Sequence, residues 1–204
     1  MSTAVDLRPI VICGPSGVGK GTLCTKLKSS NPIFKPSISH TTRAPRPDEV
    51  NGKHYHFTTS SAFSTLLSQN AFLETTNYNG ENYGTSKQTI LDQSADNAIV
   101  VLDIDIEGAK QLKKTDIQAR YVFIKPPSFE ALEERLRGRG SEKEEDVRRR
   151  LERAVVELEY ADVPGAFDKV IVNDDLEVAF TELVEFVGVY QTVDAEGVPV
   201  SQTS

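Results

Sequence analysis

Cysteine is scarce: the 204-residue chain has only Cys13 and Cys24. That excludes a disulfide-stapled scaffold and fits a reducing compartment, with both thiols expected as small core residues. Long apolar runs are missing too. None approaches the ~20 residues of a membrane span. The N-terminal stretch has neither the basic start nor the apolar centre of an export signal. No membrane association and a cytoplasmic location are therefore expected. Positive charge is in deficit, with 23 Lys and Arg against 30 Asp and Glu and a formal net charge of −7. This argues against a nucleic-acid partner bound through bulk charge. Histidine is limited to His40, His54 and His56. These lack the further partners a metal site needs and are expected on the surface or in packing. No internal repeat or long linker divides the chain, and its length suits one domain with inserted lobes.

The basic residues that are present gather in a few stretches, which suits a small anionic ligand. The most informative stretch is RPIVICGPSGVGKGT, Arg8 to Thr22. Ile10-Val11-Ile12-Cys13 is a short apolar run, the pattern of a strand buried on both faces of a parallel sheet. Gly14, Gly17 and Gly19 permit a tight turn whose N–H groups converge on one point. The helix that follows aims its positive end at the same point. Lys20 adds a mobile cation. Gly14, four residues, Gly19 and Lys20 have P-loop spacing, so Gly14, Pro15, Ser16, Gly17, Val18, Gly19, Lys20, Gly21 and Thr22 are assigned to nucleotide phosphates. A P-loop usually has Ser or Thr after the lysine to hold Mg²⁺; Gly21 stands there, and the next hydroxyl is Thr22. The helix is expected over Lys20 to Ser29, with Leu23, Cys24 and Leu27 inward.

Ser37 to Phe57 mixes hydroxyls, arginines and prolines without helical periodicity. Pro45 and Pro47 stiffen a loop carrying Arg43 and Arg46. Their forks, with the hydroxyls of Ser39, Thr41 and Thr42, are candidates for a second anion site. Asn51-Gly52 signals a turn and a small antiparallel piece. A short helix is expected over Ser60 to Asn70, with Phe63, Leu66 and Leu67 on one side. Glu74, beside Phe72-Leu73, is expected to be partly buried and to need donors that a ligand can supply.

Ala98 to Asp103 reads as a second buried parallel strand, ending in Asp103 and then Asp105. Carboxylates at such a strand end lie where an open α/β sheet places ligand chemistry. In P-loop proteins such an aspartate holds Mg²⁺, here assigned to Asp103 through water. Capping of the next helix accounts for one of the two. Tyr121 to Ile124 and Lys169 to Val172 complete the buried strands. Between them, Arg135, Arg137 and Arg139 precede a glycine-flanked break, and Ser141 to Glu144 has the form of a capping box. The next helix carries an apolar stripe of Val147, Leu151, Ala154, Val155 and Leu158 flanked by Arg148 and Arg150. This charged connection reads as a lid that closes arginines over phosphates.

Alternating strands and helices predict an α/β fold, a parallel sheet flanked by helices. From about Arg8 to Val187 the chain resembles the guanylate kinase family, especially its eukaryotic, yeast-like members. The carriers are GPSGVGKGT at Gly14 to Thr22, SHTTRAPRPDEVNGKHYHF at Ser39 to Phe57 and FLE at Phe72 to Glu74. YGTS at Tyr83 to Ser86, LDIDIEG at Leu102 to Gly108, RLRGRG at Arg135 to Gly140 and VIVNDDL at Val170 to Leu176 continue the match. The resemblance implies the P-loop nucleoside monophosphate kinase fold with an inserted NMP-binding lobe and a lid. Residues 1–36 and 86–188 are then the core, 37–85 the GMP-binding lobe with a small antiparallel sheet, 137–150 the lid, and 189–204 a loose tail. It also implies transfer of the γ-phosphoryl group of ATP to GMP, and to dGMP, by a monomer with Mg²⁺, in purine nucleotide metabolism.

By the same resemblance, Ser39, Arg43, Arg46, Tyr55 and Tyr83 fall where the family binds the GMP phosphate. Glu74, Thr85 and Asp105 fall where it reads the base, with Asp103 on the same side. Lys20, Arg43 and the lid residues Arg135, Arg139 and Arg150 carry catalysis, and Asn173 reaches adenine. Two alternatives stand beside this. Gly19-Lys20-Gly21-Thr22 is also typical of adenylate kinases, which preference for AMP over GMP would reveal. A non-catalytic guanylate-kinase-like interaction module shares the fold but loses phosphate-binding residues, whereas this chain keeps Lys20, Asp103 and the lid arginines.

Overall fold

The computed structural model describes residues 5–78, 80–95, 97–138 and 144–189. The chain runs β1 (Ile10–Cys13), α1 (Lys20–Ser30), β2 (Phe34–Pro36), β3 (His40–Thr41), β4 (His56–Phe57), α2 (Ser60–Ser68), β5 (Phe72–Tyr78), β6 (Glu81–Ser86) and α3 (Lys87–Ser94). It continues β7 (Ile99–Asp103), α4 (Ile106–Leu112), β8 (Arg120–Lys125), α5 (Phe129–Gly138), α6 (Glu144–Ala161), β9 (Lys169–Val172) and α7 (Leu176–Val187).

The main sheet has five parallel strands in the order β2-β7-β1-β8-β9. Every residue of β1 is buried, as its unbroken apolar run requires of a central strand covered on both faces. Alternate side chains enter two cores. Ile10 and Ile12 pack with Leu23, Leu27, Leu132 and Leu183, under α1, α5 and α7. Val11 and Cys13 pack with Leu102, Leu112 and Phe123 on the α4 face. Each fully buried Leu or Ile contributes roughly 1.5–3 kcal/mol of apolar burial. Both cysteines are free and buried, and burial pushes the Cys24 thiol up to about 12. Ile12 pairs with Asp103 across β1 and β7, so the P-loop and the β7 carboxylate leave the sheet side by side.

A second, mixed sheet runs β4-β3-β6-β5 and lies within residues 40–86. Its antiparallel pairs are β3 with β6 and β5 with β6. The antiparallel piece expected around Asn51-Gly52 is not there: β4 lies parallel to β3, and Asn51 bridges Tyr55 in a parallel sense. The register of β5 shifts between Phe72 and Glu74. Such a bulge re-aims side chains, and Phe72, Leu73 and Glu74 are consecutively buried.

Three other expectations change. Leu67 is 53% exposed, since only Phe63 of its helix face is covered. β9 is an edge strand rather than a fully buried one; only Ile171 points inward. On α6, Val155 is exposed and Glu157 takes a buried place instead. The capping box at 141–144, except Glu144, and the tail beyond Val189 lie outside the described residues.

Candidate active site

The P-loop follows β1 directly. Gly14 has φ +147°, and a Cβ there would run into the Ile124 carbonyl oxygen. Gly19 sits left-handed at the N-cap of α1, where a Cβ would strike the Asn173 amide. No side chain caps α1, so its first N–H groups face the cleft, as anion binding at a helix N-terminus requires. Lys20 Nζ donates to the carbonyls of Gly14 (2.6 Å) and Pro15 (3.2 Å), which folds the cation back over the loop. Asn173 is buried, and its Nδ2 donates to the Val18 carbonyl at 2.7 Å. It braces the P-loop from behind, and Arg135 in turn donates to the Asn173 carbonyl at 2.8 Å.

Two clefts meet at Lys20 and Asp103. One, of about 410 Å³, is walled by Ser16, Gly17, Gly19, Gly21 and Thr22 with those two residues. The other, of about 430 Å³, adds Ser39, Tyr55, Glu74, Thr76, Tyr83, Asp105, Arg150, Arg153 and Glu157 to Lys20 and Asp103. The continuity of two chambers of nucleotide-phosphate and nucleoside size allows a two-substrate transfer across their junction.

In the larger cleft Glu74 is only 4% exposed and accepts the Thr85 N–H at 2.8 Å. Burial pushes its pKa up, and the Thr85 bonds pull it back. Gly108 leaves it room: a Cβ there would stand 3.1 Å from Glu74 Oε2. The Thr85 hydroxyl, itself fully buried, pairs with the Ser39 hydroxyl at 3.0 Å. Asp105 caps α4 by accepting the Gly108 N–H at 2.8 Å, so the capping role applies to Asp105 and not to Asp103. Asp103 lines both clefts, and lost hydration there raises its pKa by more than the Lys20 and Lys28 charges lower it.

Not every expected residue reaches the cleft. Arg43 is held by Glu49, with Nη2 2.8 Å from both carboxylate oxygens, and by the Ala44 carbonyl. Its guanidinium lies 5.5 Å from the Tyr55 ring centroid, at the cleft's edge. Arg46 donates its backbone N–H to Glu49, and its side chain is exposed. Thr41 and Thr42 do not form the second anion site. Thr41 is buried with its hydroxyl accepting the Arg43 N–H, and Thr42 donates to Glu81 at 2.6 Å. Arg135 and Asn173 stand behind the P-loop, and Arg139 lies outside the described residues. Arg150 does arrive, donating from Nη1 to the Ser16 hydroxyl.

Sequence reasoning missed Thr76, Arg153 and Glu157. For α6 the signal was available. Arg150, Arg153 and Glu157 are spaced i, i+3, i+7, which places them on one helix face. The sequence reading of that helix stopped at its apolar stripe and the flanking Arg148 and Arg150, short of the polar face that continues to Glu157.

The chain matches the family model described as guanylate kinase over residues 6–190. It belongs to the guanylate kinase family. It is 48% identical over 180 residues to "Guanylate kinase" of Schizosaccharomyces pombe, covering 88% of this chain and 89% of that protein. It is 47% identical over 177 residues to "Guanylate kinase 1" of Oryza sativa, covering 86% of this chain and 46% of that protein. The chain thus spans about half the length of the rice relative and nine-tenths of the fission-yeast one. Among solved structures, the guanylate kinase of Anaplasma phagocytophilum superposes with a TM-score of 0.65 at 28% identity, covering 89% of this chain and 84% of that one. The parallel sheet with helices on both faces is thus the guanylate kinase fold.

For a guanylate kinase with Mg²⁺, the donor set is sparse. Among the described residues no group of three His, Cys, Asp or Glu side chains can hold a metal. Asp103 and Thr22 share the smaller cleft, and a Cβ on Gly21 would meet nothing within 4 Å, which leaves room for a hydrated ion. The residues fit an ion carried by nucleotide phosphates and touched by protein through water, and not one held in a protein cage.

Proposed function

We propose that the chain is an ATP:GMP phosphotransferase in which Lys20 stands at the junction of the ATP and GMP chambers. The observation that carries this reading is Glu74, a buried carboxylate in the same cleft as the P-loop lysine. Guanine offers a ring N–H and an exocyclic amine on one edge, and a carboxylate accepts both. Adenine lacks that donor pair and leaves Glu74 unpaired, which costs up to ~10⁴-fold in discrimination. A coupled assay of ADP formation with GMP, dGMP, AMP, CMP and UMP in parallel tests it. GMP is expected to be the best substrate, with dGMP second. A preference for AMP overturns the reading.

The chemistry needs few covalent parts. The phosphates of ATP sit on the P-loop backbone of Gly14 to Thr22, and Lys20 reaches toward the γ-phosphoryl group and neutralises its charge in transfer. A GMP phosphate oxygen, already anionic, attacks in line without a general base, so catalysis is positioning and charge stabilisation. Ser39, Tyr55 and Tyr83 hold the GMP phosphate. Arg43 and Arg46 join them when a dianion competes with Glu49 for the Arg43 fork. Glu74, Thr85 and Asp105 read the base. Arg139 and Arg150 supply positive charge from the lid and Arg135 from the last turn of α5 before it; Asp103 and Thr22 would hold Mg²⁺, which would supply charge to offset that of the phosphates. Asn173 acts through the P-loop it braces.

The same reading divides the chain into a core of residues 1–36 and 86–188, a GMP lobe of 37–85 and a lid of 137–150, working as a cytoplasmic monomer in purine nucleotide metabolism. Among the described residues no helix is long and apolar enough to cross a membrane. Arg137 of α5 bonds Glu144 of α6 across the start of the lid, at 2.8 Å from Nη2 to Oε1. GMP together with a non-hydrolysable ATP analogue is expected to lower the radius of gyration in solution scattering. An unchanged radius counts against lid closure.

A further inference from the structure

Arg150, Arg153 and Glu157 share one side of α6, and each makes a different contact in the larger cleft. Arg150 reaches Ser16 of the P-loop. Arg153 donates from Nη2 to Asp105 Oδ2 at 2.6 Å and from Nε to Glu157 Oε1 at 3.1 Å. Glu157 is 4% exposed, with Lys20 and Arg153 as the cations that offset its burial. Asp105 is otherwise held by the Gly108 N–H at Oδ1 and by the Thr76 hydroxyl at Oδ2, 3.2 Å away. Its carboxylate is therefore fixed from α4, from β5 and, through Arg153, from α6.

The guanidinium does what one ammonium cannot: its planar fork meets two acceptors in two directions at once. Arg153 is about half exposed, so its pair with Asp105 contributes little to stability. Its effect is expected in the placement of groups and not in folding.

We infer that Arg153 is a positioning residue for GMP recognition, holding Asp105 against the buried Glu157 and tying the base edge to the helix that carries Arg150. This rests on the assignment of Asp105 to the base. GMP seated against Asp105 steadies Arg153, hence α6, hence Arg150 over the P-loop one turn earlier. Acceptance of the nucleobase and placement of a lid arginine then become one event.

Steady-state kinetics on Arg153→Met, Asp105→Asn, the double variant and Arg153→Lys test the inference, with thermal melting as the check on folding. Loss of a charge-assisted hydrogen bond predicts a rise of about tenfold in KM for GMP in each of the first two, with KM for ATP changed less than about twofold. Because both act through one contact, the double variant is expected within about twofold of the worse single one. Arg153→Lys is expected to recover part of the loss. Equal shifts for GMP and ATP, or additive effects in the double variant, overturn the inference. So does an Arg153→Met enzyme with an unchanged KM for GMP beside an impaired Asp105→Asn. If Asp105→Asn itself binds GMP normally, the base assignment falls and takes the inference with it.

Discussion

Lys20→Ala is expected to lower kcat by about three orders of magnitude while GMP binding stays measurable by calorimetry. The size follows from what the ammonium does. It lines both chambers and is held against the loop by the Gly14 and Pro15 carbonyls. On the proposed reading it is thus held close to where negative charge would develop on the transferring group. A single lost donor in such a position costs about 10²–10³ in kcat, and a full charge lies at the upper end of that range. On the proposed assignment the groups that hold GMP lie elsewhere, from Ser39 to Thr85, so its affinity is expected to fall far less. Lys20→Arg is not expected to rescue turnover, because the bulkier fork does not fit the site between the two carbonyls. Removal of Lys20 also takes away a cation facing the buried Glu157, whose pKa then rises further above the ordinary carboxylate range. Turnover in Lys20→Ala above about a tenth of normal would refute the transition-state role, since a donor in that role typically contributes about 10²–10³ in kcat.

The parts of the fold that were readable in the chain share one property: their conformation is decided locally. β1 and the P-loop were legible because an unbroken apolar run and glycines at positions with positive φ leave few alternatives. The inward face of α1, with Leu23, Cys24 and Leu27 buried, is likewise a local periodicity. What could not be read depends on which partner each side chain finds in the folded chain. Arg43 has the right residue type on the right loop, yet its fork goes to Glu49, six residues on. Thr42 looks like a phosphate hydroxyl but serves Glu81, a residue of another strand. Arg153 bonds Asp105, 48 positions away, a contact with no signal in the helix's own spacing. The parallel pairing of β4 with β3 has no local signal, because two-residue strands carry no period. Position within the site was therefore more legible than the bonds each residue makes there.

Glu74→Gln separates recognition from stability. Glu74 is a buried carboxylate whose pKa is pushed up by desolvation, more than the Thr85 bonds lower it. A carboxyl group whose pKa is higher in the folded chain than in the unfolded one stabilises the fold below its unfolded value and loses that contribution as pH rises through its folded value. At neutral pH its charge is thus a cost to folding. Glutamine is nearly isosteric, keeps an oxygen for the Thr85 N–H and removes the charge, so the thermal midpoint is expected to stay level or rise. Recognition goes the other way. A carboxylate presents acceptors only, and two guanine N–H groups need two acceptors; the glutamine amide presents a donor to one of them. A buried donor facing a donor, together with a lost charge-assisted bond, predicts a rise of about 10²-fold or more in KM for GMP. KM for ATP, whose phosphates lie on the P-loop, is expected to change less than about threefold. The variant's selectivity for GMP over AMP is expected to collapse, because the carboxylate that penalises adenine is gone. Equal losses for GMP and ATP, or unchanged selectivity in a well-folded Glu74→Gln enzyme, would move base reading away from Glu74. The Thr85 hydroxyl would not inherit the role alone, since it already pairs with Ser39.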